Sequence, residues 1–341
     1  MTSASEAHER TDSTVSDGGP AVVALGGGHG LSASLRALRR VTDDLTAVVT
    51  VSDDGGSSGR LRRELAVLPP GDLRMALAAL CGDDEWGQTW SRVVQHRFRS
   101  EGDLNDHAVG NLLIVALWEL LGDSVQGLDW VSRLLGAHGR VLPMSLVPVD
   151  IEAVVEIDDD GSGGGAGGGV ATLRGQVAVA TTQGRVVQLG LVPARPPACP
   201  EAVTAVLEAD WVVLGPGSWF TSVIPHLLVP DLAEALRSTT ARRVVVLNLA
   251  PQPGETAGFQ PETHLEVLSE HAPGLTVDAV LADSGAVHDP SSLRSVAASL
   301  GADVLLAPLS SDGDPLVHDP DRLAAAFGHL FAPDRQPSDR I

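Results

Sequence analysis

Ala21-Val22-Val23-Ala24-Leu25 runs straight into Gly26-Gly27-Gly28-His29-Gly30, and Thr46-Ala47-Val48-Val49-Thr50-Val51 runs, after one serine, into Asp53-Asp54-Gly55-Gly56-Ser57-Ser58-Gly59. Each apolar, β-branched run has the composition of a strand. Between them, Leu31, Leu35 and Leu38 recur at i, i+4 and i+7, which predicts a helix over Leu31 to Arg40 with one buried face. Strand, glycine turn, helix, strand and second glycine turn open a nucleotide-binding α/β domain.

The chemistry of such turns is that of bare backbone. Glycines let N–H groups approach a ligand closely. The following helix then aims its unsatisfied N–H groups and the positive end of its dipole at the same point, which suits phosphate. Gly28-His29-Gly30-Leu31-Ser32-Ala33 fits the G-x-G-x-x-A spacing. The chain contains no lysine, so phosphate must be held by backbone, hydroxyls and arginine. Asp53 and Asp54 close the second run, where one carboxylate binds sugar hydroxyls or the pair holds Mg²⁺ against phosphate. The structural alternative is an Asp-Gly turn in which the carboxylates bond the backbone that follows.

Further along, Pro69-Pro70-Gly71 marks a turn, and Asp72 stands where it would cap a helix running to about Cys81. Arg74 then falls in the first turn, where the dipole disfavours a cation, and so implies an anionic neighbour. Arg60 and Arg62 are further candidates for phosphate. Residues 86–138 read as helical, and Val109 to Leu121 is apolar enough to predict a buried helix. His107 and Asn111 stand four apart beside it, as a structural pair or as site residues. Val141 to Val192 reads as a β insertion, with strands at Glu152–Ile157 and Gln176–Ala180 around a glycine-rich loop, Asp158 to Gly169, expected to be mobile.

The parallel-sheet rhythm then returns. Helix 201–209 and strand Trp211–Leu214 lead to Gly215-Pro216-Gly217-Ser218, followed by Thr221 and Ser222. A helix near 232–238 leads to strand Val244–Leu249, which contains Asn248 and precedes Gln252-Pro253-Gly254-Glu255-Thr256. Helix 261–271, strand Thr276–Leu281, helix 290–300 and strand Val304–Leu306 complete the pattern. Every polar glycine loop lies at the carboxyl end of an expected strand, where open α/β sheets bind ligands.

Composition agrees. The 341 residues are rich in aliphatics and carry a net charge of −21, which argues against a nucleic-acid surface and against anionic membrane. No segment has the roughly 20 apolar residues of a membrane span. Residues 1–19 and 331–341 read as flexible tails around a domain at 20–330, Cys81 and Cys199 as free thiols, and the protein as cytoplasmic. The fold class expected is α/β: a Rossmann-like, mostly parallel sheet with helices on both faces, an inserted helical segment at about 72–140 and a β-hairpin element at about 141–192.

Gly26-Gly27-Gly28-x-Gly30-Leu31, Asp53-Asp54-Gly55-Gly56-Ser57-Ser58-Gly59-Arg60-Leu61-Arg62, Pro69-Pro70-Gly71-Asp72-Leu73-Arg74, His107-x-x-Gly110-Asn111, Gly215-Pro216-Gly217-Ser218-x-x-Thr221-Ser222 and Gln252-Pro253-Gly254-Glu255-Thr256 together resemble the CofD-like superfamily. They are most similar to its YvcK branch, the gluconeogenesis factors. His29 stands where many members carry Thr, and Asp106 where Gly is expected. The resemblance implies binding of a UDP-sugar, UDP-N-acetylglucosamine in particular. It implies a role in cell shape, cell-wall precursor supply and growth on gluconeogenic carbon sources, exerted through a cell-wall enzyme or regulator as partner. No established reaction, and hence no catalytic residue, comes with that branch; a homo-oligomer and Mg²⁺ on Asp53 and Asp54 are compatible with it. The neighbouring CofD branch transfers 2-phospholactate to a deazaflavin with Mg²⁺, and that reaction is the alternative. An NAD-dependent dehydrogenase ranks last, since no catalytic His or Lys pairing is evident. In the favoured arrangement phosphates rest on Gly26, Gly27, Gly28, His29 and Gly30, with Gly215, Gly217, Ser218, Thr221 and Ser222 beside them. Asp53, Asp54, Gly56, Ser57, Ser58, Arg60, Asp72, Arg74 and Asn111 line the second side, and Asn248, Gln252, Gly254 and Glu255 close the pocket.

Overall fold

A computed structural model describes residues 19–157, 169–252 and 254–332. The chain opens with β1 (Val22–Gly26), α1 (Gly28–Leu38), β2 (Leu45–Val49), α2 (Gly56–Leu65) and α3 (Gly71–Ala79). The helical segment follows as α4 (Glu85–Gln95), α5 (Val109–Leu121) and α6 (Ser124–Leu135), ending in β3 (Arg140–Pro143). Next come β4 (Asp150–Ile157), β5 (Gly169–Arg174), α7 (Gln176–Ala180) and β6 (Arg185–Val192), then α8 (Pro200–Glu208) and β7 (Trp211–Leu214). A π-helical turn, Trp219–Val223, passes directly into α9 (Ile224–Leu228). The chain continues through α10 (Pro230–Ser238), β8 (Arg242–Val246), α11 (Pro261–His271), β9 (Ala279–Asp283), α12 (Pro290–Ser299), β10 (Asp303–Ala307) and α13 (Pro320–Phe331).

The main sheet has seven strands, all parallel, in the order β10-β9-β8-β7-β1-β2-β3. β1 and β7 are buried along their whole length, which explains their unbroken apolar runs: both sheet faces are covered. From the centre, β1 winds out through β2 to β3, and β7 winds the other way through β8 and β9 to β10. Right-handed connections running in opposite directions place their helices on opposite faces. Two helix groups result, α1 with α3 and α13, and α8 through α12. The strand order reverses between β1 and β7, so a crevice opens there beyond their carboxyl ends.

The second sheet is small and antiparallel, β5-β4-β6. Several expectations change here. Val141 belongs to β3 at the edge of the main sheet, so the insertion starts at Asp150. Gln176–Ala180 is helix α7, not a strand: Gly175 has φ +101 and turns the chain out of β5 just before it. Gly169 opens β5, while residues 158–168 and the predicted tails at 1–18 and 333–341 lie outside the described residues. α13 runs through Phe331, the first residue of the expected C-terminal tail.

Three boundaries also move. β2 stops at Val49, which leaves Asp53 and Asp54 in a loop beyond it. β8 stops at Val246, before Asn248, and β9 starts at Ala279 rather than Thr276. α5 buries one face only, through Ile114, Val115 and Trp118; Leu120 is 80% exposed. Cys81 and Cys199 are free and buried. Among the described residues no helix is long and apolar enough to cross a membrane.

Candidate functional site

The turn after β1 is as tight as its glycines require. A Cβ on Gly27 would lie 2.3 Å from Thr50 Oγ1 and 2.6 Å from Asp72 Oδ2. Gly28 takes φ +58, the left-handed region. A Cβ on Gly30 would lie 2.2 Å from the Pro216 carbonyl oxygen and 2.5 Å from Gly217 Cα. The loops after β1 and β7 therefore touch backbone to backbone, at the point where the strand order reverses. Asn248 holds the second loop on both sides: its Oδ1 accepts from Gly217 N–H at 2.9 Å, and its Nδ2 donates to Gly217 O at 2.8 Å. Ser34 Oγ on α1 donates to Gly215 O at 3.1 Å. Gly26 is the buried end of β1, and His29 is exposed in the first turn of α1.

Asp72 does not cap α3. Pro70 occupies the cap position, and Asp72 points into the crevice, where Thr50 Oγ1 donates to its Oδ2 at 3.2 Å. Burial pushes its carboxyl up to about 7, and the nearby Asp53 carboxylate adds to this; Thr50, the Gly28 N–H and Arg74 oppose it. Arg74 is buried, with Asp72 and Asp53 as its anionic neighbours, and its Nε has no hydrogen-bond partner. Burial and Arg97 hold its pKa below the usual arginine value. The cation expected from its misplacement against the helix dipole does face carboxylates.

The Gly55-Gly56-Ser57-Ser58-Gly59 run is not a free loop, because α2 begins inside it. Ser57 Oγ accepts from Asn111 Nδ2 at 3.0 Å and from Ala108 N–H at 3.3 Å, and pairs with His107 Nδ1 at 3.0 Å. With both lone pairs engaged, the hydroxyl hydrogen goes to Nδ1. Burial and the Arg60 charge lower the His107 pKa, consistent with that neutral ring. His107 and Asn111 thus act together on one serine, although only Asn111 lies within α5. Gly56 is exposed, and Ser58 Oγ packs against Gly71.

The two aspartates part company. Asp53 Oδ1 accepts from Gly55 N–H at 2.9 Å, and its Oδ2 faces Gly71. Asp54 turns to the insertion, where its Oδ1 accepts from Val177 N–H at 3.1 Å. α7 lacks a side-chain cap of its own, so Asp54 supplies one from the other side of the crevice. Side chains engaged with different elements do not fit a shared Mg²⁺, and among the described residues no group of three or more His, Cys, Asp or Glu is arranged to hold a metal. Arg60 is likewise turned aside, donating to the carbonyls of Asp103 at 3.3 Å and Asn105 at 2.6 Å.

Beyond Gly217, Ser218 Oγ donates to Glu255 Oε2, Phe220 N–H donates to Glu255 Oε1 at 2.8 Å, and Thr221 Oγ1 donates to Ser218 Oγ at 2.6 Å. Burial raises the pKa of Glu255 against these bonds. Ser222 is buried, with its Oγ beside Gly27. Gly254 takes φ +85, and a Cβ there would lie 2.9 Å from the carbonyl oxygens of Ala180 and Thr182. Gln252 N–H donates to Thr256 Oγ1 at 2.8 Å, and the Gln252 Oε1 is buried without a partner. α7 is thus held at one end by Asp54 and borders the 252–256 loop at the other.

The structure gathers the turns at 26–30 and 215–218 with Thr50, Asp72, Ser222 and Asn248, and places Asp53, Ser58 and Arg74 beside them. His29 and Gly56 are exposed at the starts of α1 and α2, while the side chains of Asp54 and Arg60 bond the insertion and the 103–105 segment. Thr50 and Val177 escape sequence reading, since each sits within an ordinary apolar run. The helix starts differ as well. α4, α6, α12 and α13 are capped by Asp84, Asp123, Asp289 and Asp319, whereas the cap residues of α1, α2 and α3, like those of α5, α8, α10 and α11, make no side-chain cap bond.

The family described as 2-phospho-L-lactate transferase CofD matches residues 22–305. A protein of Mycobacterium tuberculosis strain H37Rv is 55% identical over 316 residues, covering 92% of this chain and 91% of its own. The gluconeogenesis factor of Bacillus subtilis is 36% identical over 270 residues, 79% of this chain and 80% of its own. The crystal structure of a protein member of the UPF0052 family from Bacillus halodurans is similar with a TM-score of 0.79 at 32% identity, covering 90% of this chain and 98% of that one.

Proposed function

Because this chain belongs to the CofD family, and within it aligns with a gluconeogenesis factor over most of its length, we propose that it is a UDP-sugar-binding regulator rather than a transferase. Its ligand is UDP-N-acetylglucosamine or a close relative, and its output is the supply of cell-wall precursors, cell shape and growth on gluconeogenic carbon sources. A cell-wall enzyme or regulator reads the ligand-bound form.

The observation that carries this reading is the backbone-to-backbone meeting of the glycine turns after β1 and β7 at the strand-order reversal. α1 and α2 begin directly after the turns that follow β1 and β2, so their first-turn N–H groups lie at the same crevice, where Asp72 engages that of Gly28. In a chain without lysine, such N–H groups and the buried Arg74 form a place for a diphosphate. Asp53 and Asp54 bond different elements, so the pair does not form a shared metal clamp for group transfer.

Calorimetric titration with UDP-N-acetylglucosamine, UDP-glucose, GDP and NAD, with each ligand recovered and analysed afterwards, tests the proposal. Saturable, uridine-selective binding with the ligand returned intact is the expected result. Preference for a guanine nucleotide, with turnover of lactyl-diphospho-guanosine onto a deazaflavin, would overturn it.

A further inference from the structure

Beside the crevice lies a cavity of about 660 Å³ between β6, α11 and the 254–259 loop. Gln183, Phe220, Glu255, Phe259, Thr263 and Glu266 line it. The size is that of a small-molecule pocket. Phe220 and Phe259 meet edge to face with ring centres 6.1 Å apart and form an apolar wall. Glu255, Glu266 and Glu270 bring carboxylates to the same space, and Arg185 at its rim is paired with Glu156. Carboxylates repel a phosphate and accept hydrogen bonds from hydroxyl and amide groups. A ring with hydroxyls on its edge and apolar C–H faces matches both kinds of wall.

One carboxylate is shared between the cavity lining and the crevice turn. Glu255 accepts from Ser218, the residue after Gly217, and from Phe220 N–H in the cavity wall. We propose that the cavity holds the hexose ring of the nucleotide sugar, and that Glu266 and the space above Thr263 determine sugar affinity while the crevice binds the nucleoside diphosphate. The inference rests on the nucleotide-sugar reading above.

Titration of the full chain with UDP and, separately, UDP-N-acetylglucosamine tests it, using wild type, Glu266→Ala and Thr263→Trp. Glu266 is exposed and Thr263 half-buried on α11, so neither change disturbs the core; thermal melts check this. Wild type is expected to bind the sugar nucleotide about tenfold more tightly than UDP, the loss associated with one hydrogen bond to a charged group. Both variants are expected to abolish that ratio while leaving UDP affinity unchanged. Equal affinity of wild type for the two ligands would overturn the inference, as would a ratio that survives in both variants or a parallel loss of UDP binding. Failure of wild type to bind either ligand would overturn the nucleotide-sugar reading itself.

Discussion

Asp72 is a buried carboxylic acid set against the glycine turn after β1. Held up at about 7 against an ordinary 3.8, it keeps a proton in the folded chain that the unfolded chain has already released. Between about pH 4 and 7 the folded state therefore binds more protons, so Asp72 lowers stability as pH rises through that window, with the full penalty above it. Asp72→Asn removes this dependence. The variant is expected to gain on wild type between pH 4 and pH 8 by about 4 kcal/mol at most, read from urea unfolding at the two pH values; parallel profiles would contradict the assignment. Gly30 makes a steric claim at the same scale. Gly30→Ala forces the turns after β1 and β7 apart and is expected to cost about 1–3 kcal/mol, with loss of nucleotide binding in the same preparation. An alanine variant that binds like wild type would show that the two turns need not touch. The glycines were legible as a tight strand-to-helix turn because their spacing is local. The role of Asp72 was not, since a carboxylate after Pro-Pro-Gly reads as a helix cap until Thr50, 22 residues earlier, is brought beside it.

At the scale of elements, α7 shows where local pattern misleads. Gln176-Val177-Ala178-Val179-Ala180 alternates like a strand, and five residues are too few for periodicity to decide. The helix is fixed by what surrounds it: Gly175 turns the chain, Val179 is buried, and Asp54 caps it from 123 positions away. Tertiary context wins over propensity here. Asp54→Ala should accordingly act on the insertion and leave the crevice intact. The expected cost is about 1 kcal/mol, the usual value of a lost cap, with faster amide hydrogen exchange across α7 and β5. Unchanged exchange in the insertion would return Asp54 to the list of candidate ligand or metal contacts. The same reasoning explains α5, whose apolar run predicted full burial but packs through one face, because its neighbours α4 and α6 cover only that side.

The molecule as a whole was the most readable level. Alternation of strands and helices predicted the parallel sheet, and the polar loops were expected at strand ends, where they are found. Strand order was not readable, because composition does not say which strands are neighbours. Only the pairing of β1 with both β2 and β7 turns three separate glycine loops into one crevice. A nucleoside diphosphate is proposed to seat on the glycine turns and helix starts at that reversal. Hydrogen exchange of the full chain with and without saturating UDP-N-acetylglucosamine tests it most directly. Slowed exchange is expected at the amides of residues 27–31, 55–59 and 217–220, with little change at the Asp-capped starts of α12 and α13. Protection confined to surfaces away from the β1 and β7 turns, or none at a concentration that saturates binding, would contradict it.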